Sequence, residues 1–383
     1  MKTIAVIFGS RSAEHDVSIV TAVSAIIYPL KLSGKYNVVP VYISKDGSWY
    51  SDDELGDIDF YTSGDVGEKL SKLKKINLKF DDGLWIVKSG LGDKKIHIDV
   101  VFPGTHGTYG EDGSLMGLLE MANVPYVGCD VTSSAVAMDK ALSKIVIMAH
   151  KILTPKMKYF SDFDYTKEKQ EILEYILTTL RMPLFVKPVH LGSSIAVTRV
   201  KDKKTLENAI ELAFHYDDKV VVEEEVRHLV EVTVPVMGNV YQQVAMVEET
   251  MSKSAEFFDF DTKYMQGGKK GKGGQKGNDN YSRMPAKLPK MLYKQCEQLA
   301  LEAYKAIGCS GIARVDLLVD KKAKKVYFNE INPLPGGLYE HNWNKAGINN
   351  VELVQKLVDL AFFRSQAQAE KSTVFKTNFL SQF

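Results

Sequence analysis

The chain has 383 residues, 45% hydrophobic and 25% charged, and its 49 basic and 48 acidic side chains leave a net charge of +1 at neutral pH. That length points to two or three domains, and so even a balance excludes a bulk field that would recruit nucleic acid or an anionic membrane. Three cysteines without metal-like spacing (Cys129, Cys296, Cys309), no signal-peptide pattern at Met1-Lys2-Thr3, and no apolar run near the roughly 18 residues of a membrane helix lead us to expect a soluble cytoplasmic protein with no membrane or nucleic-acid partner.

Residues 3–8 form a short apolar run stopped by Gly9-Ser10-Arg11-Ser12, which reads as a buried parallel strand and a turn. Residues 14–30 follow as a helix, with Val17, Val20, Val23, Ile26 and Ile27 at helical spacing, and residues 38–43 as a second strand. Strand, turn, helix and strand begin an open α/β sheet, in which ligands gather at the strand ends. The turn is not Gly-x-Gly-x-x-Gly, so a dinucleotide site is only weakly indicated. Residues 51–95 are polar and weakly periodic; a short helix and a small hairpin are expected there. A strand over 98–102 leads into the loop from Pro103 to Gly113, where four glycines surround His106 and Glu111. Such a loop suits close approach to a ligand, although a turn-rich surface loop would read the same way. Helix 114–121, strand 126–128 and helix 133–150, which carries Lys140 and Lys144, complete this half.

Beyond residue 153 the expected strands 156–159 and 184–187 flank a helix at 167–180. Lys187-Pro188 leads into Val189-His190-Leu191-Gly192-Ser193-Ser194, a phosphate-covering loop in form. It is not a Walker motif, because no Gly-Lys-Ser/Thr opens a helix. Helix 205–215 precedes strand 220–224, which ends in glutamates, and strands 231–236 and 242–247. Residues 257–264 alternate aromatic and charged, and residues 266–280 hold many glycines and lysines with nothing to bury. That stretch reads as a flexible lid bearing Lys263 and Tyr264, or as an inert linker, which would be odd between core strands.

Helix 289–307 leads into a hairpin of strands 311–319 and 325–331, and a closing helix spans 351–362. The hairpin places Asp316, Glu330 and Asn332 on adjacent strands, with Glu330 and Asn332 on one face. Two carboxylates and an amide oxygen are hard ligands suited to Mg²⁺ shared with substrate phosphates. Taken alone, the pattern equally fits an edge hairpin with solvated charges. Arg314 shares a face with Asp316, and Pro333-Leu334-Pro335-Gly336-Gly337 can turn backbone N–H groups toward an anion. Lys140, Lys187, Ser193, Ser194, Glu224, Glu231 and Lys263, joined to the hairpin's Arg314, Asp316, Glu330 and Asn332, spell nucleotide-dependent phosphoryl transfer on a fold that is neither a P-loop nor a protein kinase.

In this order the motifs resemble those of the ATP-grasp ligases, and within them the D-alanine–D-alanine ligase family. The carrying stretches are Phe8-Gly9-Ser10-Arg11-Ser12-Ala13-Glu14-His15-Asp16-Val17-Ser18, His106-Gly107-Thr108-Tyr109-Gly110-Glu111-Asp112-Gly113, Met138-Asp139-Lys140, Val186-Lys187-Pro188, Gly192-Ser193-Ser194, residues 259–264, Arg314-Val315-Asp316 and Asn329-Glu330-Ile331-Asn332. The resemblance implies an α/β (α+β) ATP-grasp fold. It would comprise an N-terminal open parallel sheet domain (1–128), a small central domain (129–228) and a C-terminal mixed-sheet domain (229–383) with a lid at 263–282. It implies ATP, with Lys140, Lys187 and Ser194 at the phosphates and Glu224 in the nucleotide site. Glu225 and Val226 would offer backbone groups to the adenine, Glu231 would hold the ribose, and Lys263 would reach the γ-phosphate. Asp316, Glu330 and Asn332 would bind two Mg²⁺, with Mn²⁺ as a substitute ion. Glu14, supported by His106, would hold the first substrate's ammonium. Arg314 and the N–H of Gly336 would stabilise the oxyanion, and Glu14, Ser193 and Tyr264 would link to shut the lid. The implied reaction joins two D-amino acids through an acylphosphate for peptidoglycan precursor synthesis, in a homodimer acting on small-molecule amino acids.

The chain departs from the family pattern at Val226-Arg227-His228-Leu229-Val230, where a glycine is usual before Glu231, at Leu191 and Ala196, and most of all over residues 333–343. There His341 or Asn342 falls near the serine that binds the second substrate's carboxylate. D-alanine, D-serine or D-lactate as second substrate, another dipeptide, or a non-catalytic nucleotide-binding relative all remain open from the sequence.

Overall fold

The computed structural model describes residues 1–88, 94–192, 194–251, 282–372 and 377–383. Its first sheet runs in the order Trp49–Tyr50, Tyr36–Ile43, Lys2–Gly9, Val100–Pro103. Lys2–Gly9 pairs in parallel with both Tyr36–Ile43 and Val100–Pro103. The run Ile4-Ala5-Val6-Ile7-Phe8 is apolar at every position because both of its faces are covered. The first helix is longer than expected and spans His15–Ser33, with a π-wound middle at Thr21–Ile27. It has 19 residues and a mean hydropathy of 1.3, and by length and composition alone is long and apolar enough to cross a membrane. Yet 56% of that window is buried inside the molecule, and Ala22, Ile26 and Leu30 pack with the sheet's Ile4, Val6 and Phe8, as in a core helix.

The strand expected at 98–102 divides at Asp99, whose carboxylate accepts the Thr3 N–H at 2.7 Å. Lys94–Ile98 joins Ile76–Phe80 and Leu84–Lys88 in a three-stranded antiparallel sheet, while Val100–Pro103 enters the main sheet. Residues 126–128 form no strand; Tyr126 makes an isolated bridge to Val101.

A second sheet, Thr198–Val200, Leu184–Pro188, Lys219–Glu224, Met157–Ser161, is antiparallel throughout. It packs under the helices Asp162–Thr179 and Lys203–Phe214. A third antiparallel sheet orders Ser282–Arg283, Glu248–Thr250, Leu229–Met237, Ile312–Asp320, Lys325–Asn332, with Gln243–Val244 on Leu229–Met237, and is backed by helix Lys290–Ile307.

The helix expected over 133–150 is two helices, Val131–Met138 and Lys140–Ala149. Asp139 breaks it: its backbone is extended, and its carboxylate accepts the N–H groups of Ala141 (2.9 Å) and Leu142 (2.8 Å). That cap sets Lys140 at the start of the second helix. Ala137 and Ile147 pack with Val315 and Phe328 of the third sheet, and the closing helix Asn350–Ala369 returns Leu353, Val354, Leu357 and Val358 to the core of the first.

Candidate active site

A cleft of about 1320 Å³ is lined by all three parts. Its acidic side is the Ile312–Asp320 and Lys325–Asn332 hairpin. Pairing runs Arg314↔Asn332 and Asp316↔Glu330, then jumps to Leu317↔Phe328. Asn329 is therefore an extra, bulged residue. The bulge turns both Asn329 and Glu330 toward the cleft while Phe328 and Ile331 stay in the core. Strict alternation would have given only one of them.

Arg314 forks onto Asp316, with Nε and Nη2 donating to its two oxygens at 2.8 and 2.7 Å, and Asn332 donates to Asp316 at 3.1 Å. Lys140 Nζ donates to the Leu191 carbonyl at 2.6 Å and lies 3.4 Å from Glu330. Lys187 Nζ donates to Glu223 at 2.8 Å and to Asn329 Oδ1 at 3.3 Å. Glu223 also receives Lys144, so one buried carboxylate joins two ammonium groups. Burial works against its charge, but the two lysines outweigh it and hold its pKa at about 2. Burial pushes Lys144 down to about 8. Lys187 is raised, because Glu223 and more distant carboxylates overcome its desolvation. Glu223 and Asn329 were missed from sequence. A strand ending in three glutamates hid which one turns inward, and the bulge has no sequence signal we could read.

Glu14 precedes the first helix and is buried. A Cβ on Gly107 or on Gly192 would meet its carboxylate oxygens at 3.2 or 3.3 Å, so these glycines let two loops close onto it. Thr21, also missed, accepts the Gly337 N–H at 2.9 Å and meets His106 Nε2 at 2.8 Å. The other ring nitrogen, Nδ1, lies 3.5 Å from Glu111. Burial pushes the Glu111 carboxyl up, with His106 drawing it back. Gly336 lies beside Val17 on the cleft wall.

Glu224, Glu225 and Val226 all line the cleft, and both glutamate side chains are held by the protein itself. Glu224 accepts the Arg181 N–H at 3.1 Å, and Glu225 is forked by Arg199 at 2.8 and 2.7 Å. The Glu225 N–H donates to the Pro183 carbonyl at 3.0 Å. Val226, Glu231 and Ser194 line the cleft.

His341 and Asn342, expected near the second substrate, are not among the residues that line it. Asn342 is fully buried: its side chain accepts the Met246 N–H (2.8 Å) and donates to the Met246 carbonyl (3.0 Å) and Glu248 (3.1 Å). His341 Nε2 lies 3.0 Å from the same carboxylate. The physical reason is a left-handed turn: Gly337, Leu338 and Tyr339 have φ of 58°, 52° and 54°. It carries Tyr339 to the cleft wall, its hydroxyl 2.9 Å from Thr233 and its ring under the Arg314 guanidinium, and leaves His341 behind the ring. Ser193, Lys263, Tyr264 and the expected lid segment lie outside the described residues.

Lys187 from an antiparallel sheet and Lys140 from a helix start, both facing an acidic hairpin of a second sheet, with a third, parallel unit supplying Glu14 and His106, define an ATP-grasp carboxylate–amine ligase. Family models agree: residues 3–129 match the D-ala D-ala ligase N-terminus and 146–359 the D-ala D-ala ligase C-terminus. The chain is 36% identical to the D-alanine--D-alanine ligase of Thermosipho africanus, over 99% of this chain and 98% of that one. It is also 36% identical to that of Acetivibrio thermocellus, over 95% and 96%. Among solved structures it is similar to the D-alanine-D-alanine ligase from Coxiella burnetii (TM-score 0.79, 33% identity, 96% of each chain). It is similar too to the VanG D-Ala:D-Ser ligase from Enterococcus faecalis (TM-score 0.77, 32% identity, 94% of this chain and 99% of that one). The chain belongs to the D-alanine–D-alanine ligase family, whose members are ATP-dependent ligases.

Proposed function

We propose that the chain joins D-alanine to a second D-amino acid, most simply another D-alanine, at the expense of ATP, in the cytoplasm and for peptidoglycan precursor synthesis. The observation that carries this reading is the convergence in one cleft of Glu14 and His106, of Lys140 and Lys187, and of the Arg314, Asp316, Glu330 and Asn332 hairpin. Glu14 holds the ammonium of the first amino acid. Its carboxylate attacks the γ-phosphorus, the acylphosphate forms and ADP leaves. The amine of the second amino acid then attacks the acyl carbon, phosphate departs and the amine loses a proton.

Lys140 and Lys187 bind phosphate oxygens, a task of charge neutralisation and positioning. The Glu225 carbonyl and Val226 flank the adenine, and Glu231 lies at the ribose. Arg314 and the Gly336 N–H are the oxyanion donors. The donor set of Asp316, Glu330 and Asn332 fits Mg²⁺, being all oxygen and clustered across two strands. We propose two ions there, with Mn²⁺ as a substitute; bound metal would supply neutralisation of phosphate charge. The three-domain division into 1–128, 129–228 and 229–383 belongs to the same proposal; Ala137 and Ile147 pack with the third sheet and Ala141 with Val189 and Val221 beside the second. The exposed Tyr28 and Leu32 on the first helix support a homodimer.

A second reading takes D-serine as acceptor, favoured by the Thr233 and Tyr339 hydroxyls on the cleft wall. ATP turnover across a panel of D- and L-amino acids and D-lactate, with products identified by mass, tests both. Asp316→Asn or Glu330→Gln should abolish Mg²⁺-dependent turnover while the circular dichroism of the parent is kept. Near-parental turnover in either variant would overturn the assignment.

A further inference from the structure

We propose that His190, as an imidazolium, is a positioning residue that clamps the loop carrying Gly192 and Ser194 onto the start of the helix carrying Lys140. The proposal deepens the nucleotide reading above and rests on it.

Three consecutive residues at the base of the loop are stitched to Asp139 and Lys140. The Val189 carbonyl accepts the Lys140 N–H at 3.3 Å. His190 Nε2 lies 3.5 Å from Asp139 Oδ2. The Leu191 carbonyl accepts Lys140 Nζ at 2.6 Å. On the far side Asp217 holds His190 twice, accepting its backbone N–H at 2.6 Å and facing ring Nδ1 at 2.8 Å. Asp218 stands 3.9 Å from the same nitrogen. Both ring nitrogens thus face carboxylates. A neutral imidazole has one N–H and can satisfy only one of them; the cation satisfies both.

The charges around the ring point the same way. Asp139, Asp217 and Asp218 are three negative groups, and Lys219, 2.7 Å from Asp139, is the one ammonium bonded to them among the described residues. The His190 pKa is raised to about 9 by its bonds to Asp139 and Asp217. His190 and Asp139 do not line the cleft, whereas their neighbours Met138, Lys140, Leu191 and Gly192 do. The clamp therefore acts through the placement of Lys140 and of the loop, not by touching a ligand. Asp139 has two duties here: it caps the Lys140 helix and receives the ring, so the cap and the loop move as one body.

The test is equilibrium binding of Mg²⁺–ATP to the full chain by calorimetry, without amino acid, from pH 6.5 to 9.5, for the parent, His190→Gln and His190→Arg. At pH 7 the glutamine variant should bind roughly threefold to fivefold more weakly than the parent, a size set by a half-exposed charge pair. The arginine variant, whose cation is permanent, should match the parent at pH 7. As pH rises through about 9 the parent should fall toward the glutamine variant while the arginine variant does not. Titration of Lys144 and other shared groups cancels in the ratio of variants. A parent that binds no ATP would overturn the nucleotide reading and the clamp with it. A parent that binds ATP, with a glutamine variant equal to it at every pH or an arginine variant that loses affinity in step with it, would overturn the clamp alone.

Discussion

Glu223 is the residue on which both buried lysines depend, and its removal separates structure from chemistry. Glu223→Gln leaves the ammonium groups of Lys144 and Lys187 facing each other without their shared carboxylate. Breaking a buried pair costs roughly 3–5 kcal/mol, because the surviving charge stays uncompensated. The expected outcome is a much lower urea midpoint, partly recovered when Lys144→Met removes one of the charges. The pH dependence follows from its depressed pKa of about 2 against 4.5 unfolded. The stabilisation is present above pH 4.5 and is lost as pH falls toward 2. The parent's advantage over Glu223→Gln should therefore shrink across that window; a constant difference in urea midpoint from pH 5 to 2.5 would contradict the assignment. Lys144 has the opposite leaning, since its pKa of about 8 lies below the unfolded 10.5: the unfolded chain holds that proton more tightly, so stability from this group rises with pH between about 8 and 10.5.

At the scale of elements, the turn Gly336–Tyr339 decides which side chain of this segment reaches the cleft wall, where we propose the second substrate binds. Tyr339→Phe removes the hydroxyl that meets Thr233 and leaves the ring under Arg314. The expected result is a KM for the second amino acid raised severalfold, in line with the roughly 0.5–1.5 kcal/mol of a neutral hydrogen bond, with the KM for the first unchanged. Steady-state kinetics with one amino acid varied at a time checks it, and equal shifts in both constants would place Tyr339 elsewhere. His341→Ser should alter the second constant less than Tyr339→Phe does, because His341 stands behind the ring against Glu248. This is also where sequence reading reached its limit. The alternation in the hairpin showed Asp316, Glu330 and Asn332 on one surface, but alternation assumes regular pairing, so Asn329 at the bulge was invisible. Counting along a loop placed His341 and Asn342 at the carboxylate, but three consecutive left-handed residues turn Tyr339 to the cleft wall and leave His341 and Asn342 against Glu248. The apolar periodicity over 133–150 ran straight through the break at Asp139, although Asp before Lys140 is an N-cap in kind. By contrast, the parallel strands, the glycine loop around His106 and the lysine ending Leu184–Pro188 were legible, because each is written in local residue types.

For the molecule as a whole, one arginine joins parts far apart in sequence. Arg364, on the closing helix, donates to the carbonyls of Gly128 and Tyr126 and to the Ser310 hydroxyl, and its guanidinium lies 4.3 Å from the centre of the Tyr126 ring. Ser310 in turn donates to the Gly128 carbonyl at 3.1 Å. Beside this knot Gly311, with φ +70°, approaches Gly128 so closely that a Cβ would lie 2.8 Å from its Cα. The knot lies at the start of the Ile312–Asp320 strand that carries Arg314 and Asp316, so it fixes the N-terminal unit, with its Glu14, against the acidic hairpin. Arg364→Met keeps much of the apolar stem but strips the donors from acceptors that are little exposed. A loss of roughly 2–3 kcal/mol is expected from leaving such groups unpaired. The effect should be uneven. In the parent, amides of Lys2–Gly9 and of Ile312–Asp320 should exchange with similar protection, because the seam ties their openings together. In Arg364→Met the first sheet should exchange faster than the third, and KM for the first amino acid should rise, since Glu14 and Arg314 belong to opposite sides of the seam. Hydrogen exchange read by mass spectrometry separates the outcomes: a uniform loss of protection across both sheets would mean that Arg364 adds global stability without holding the two halves of the cleft in register.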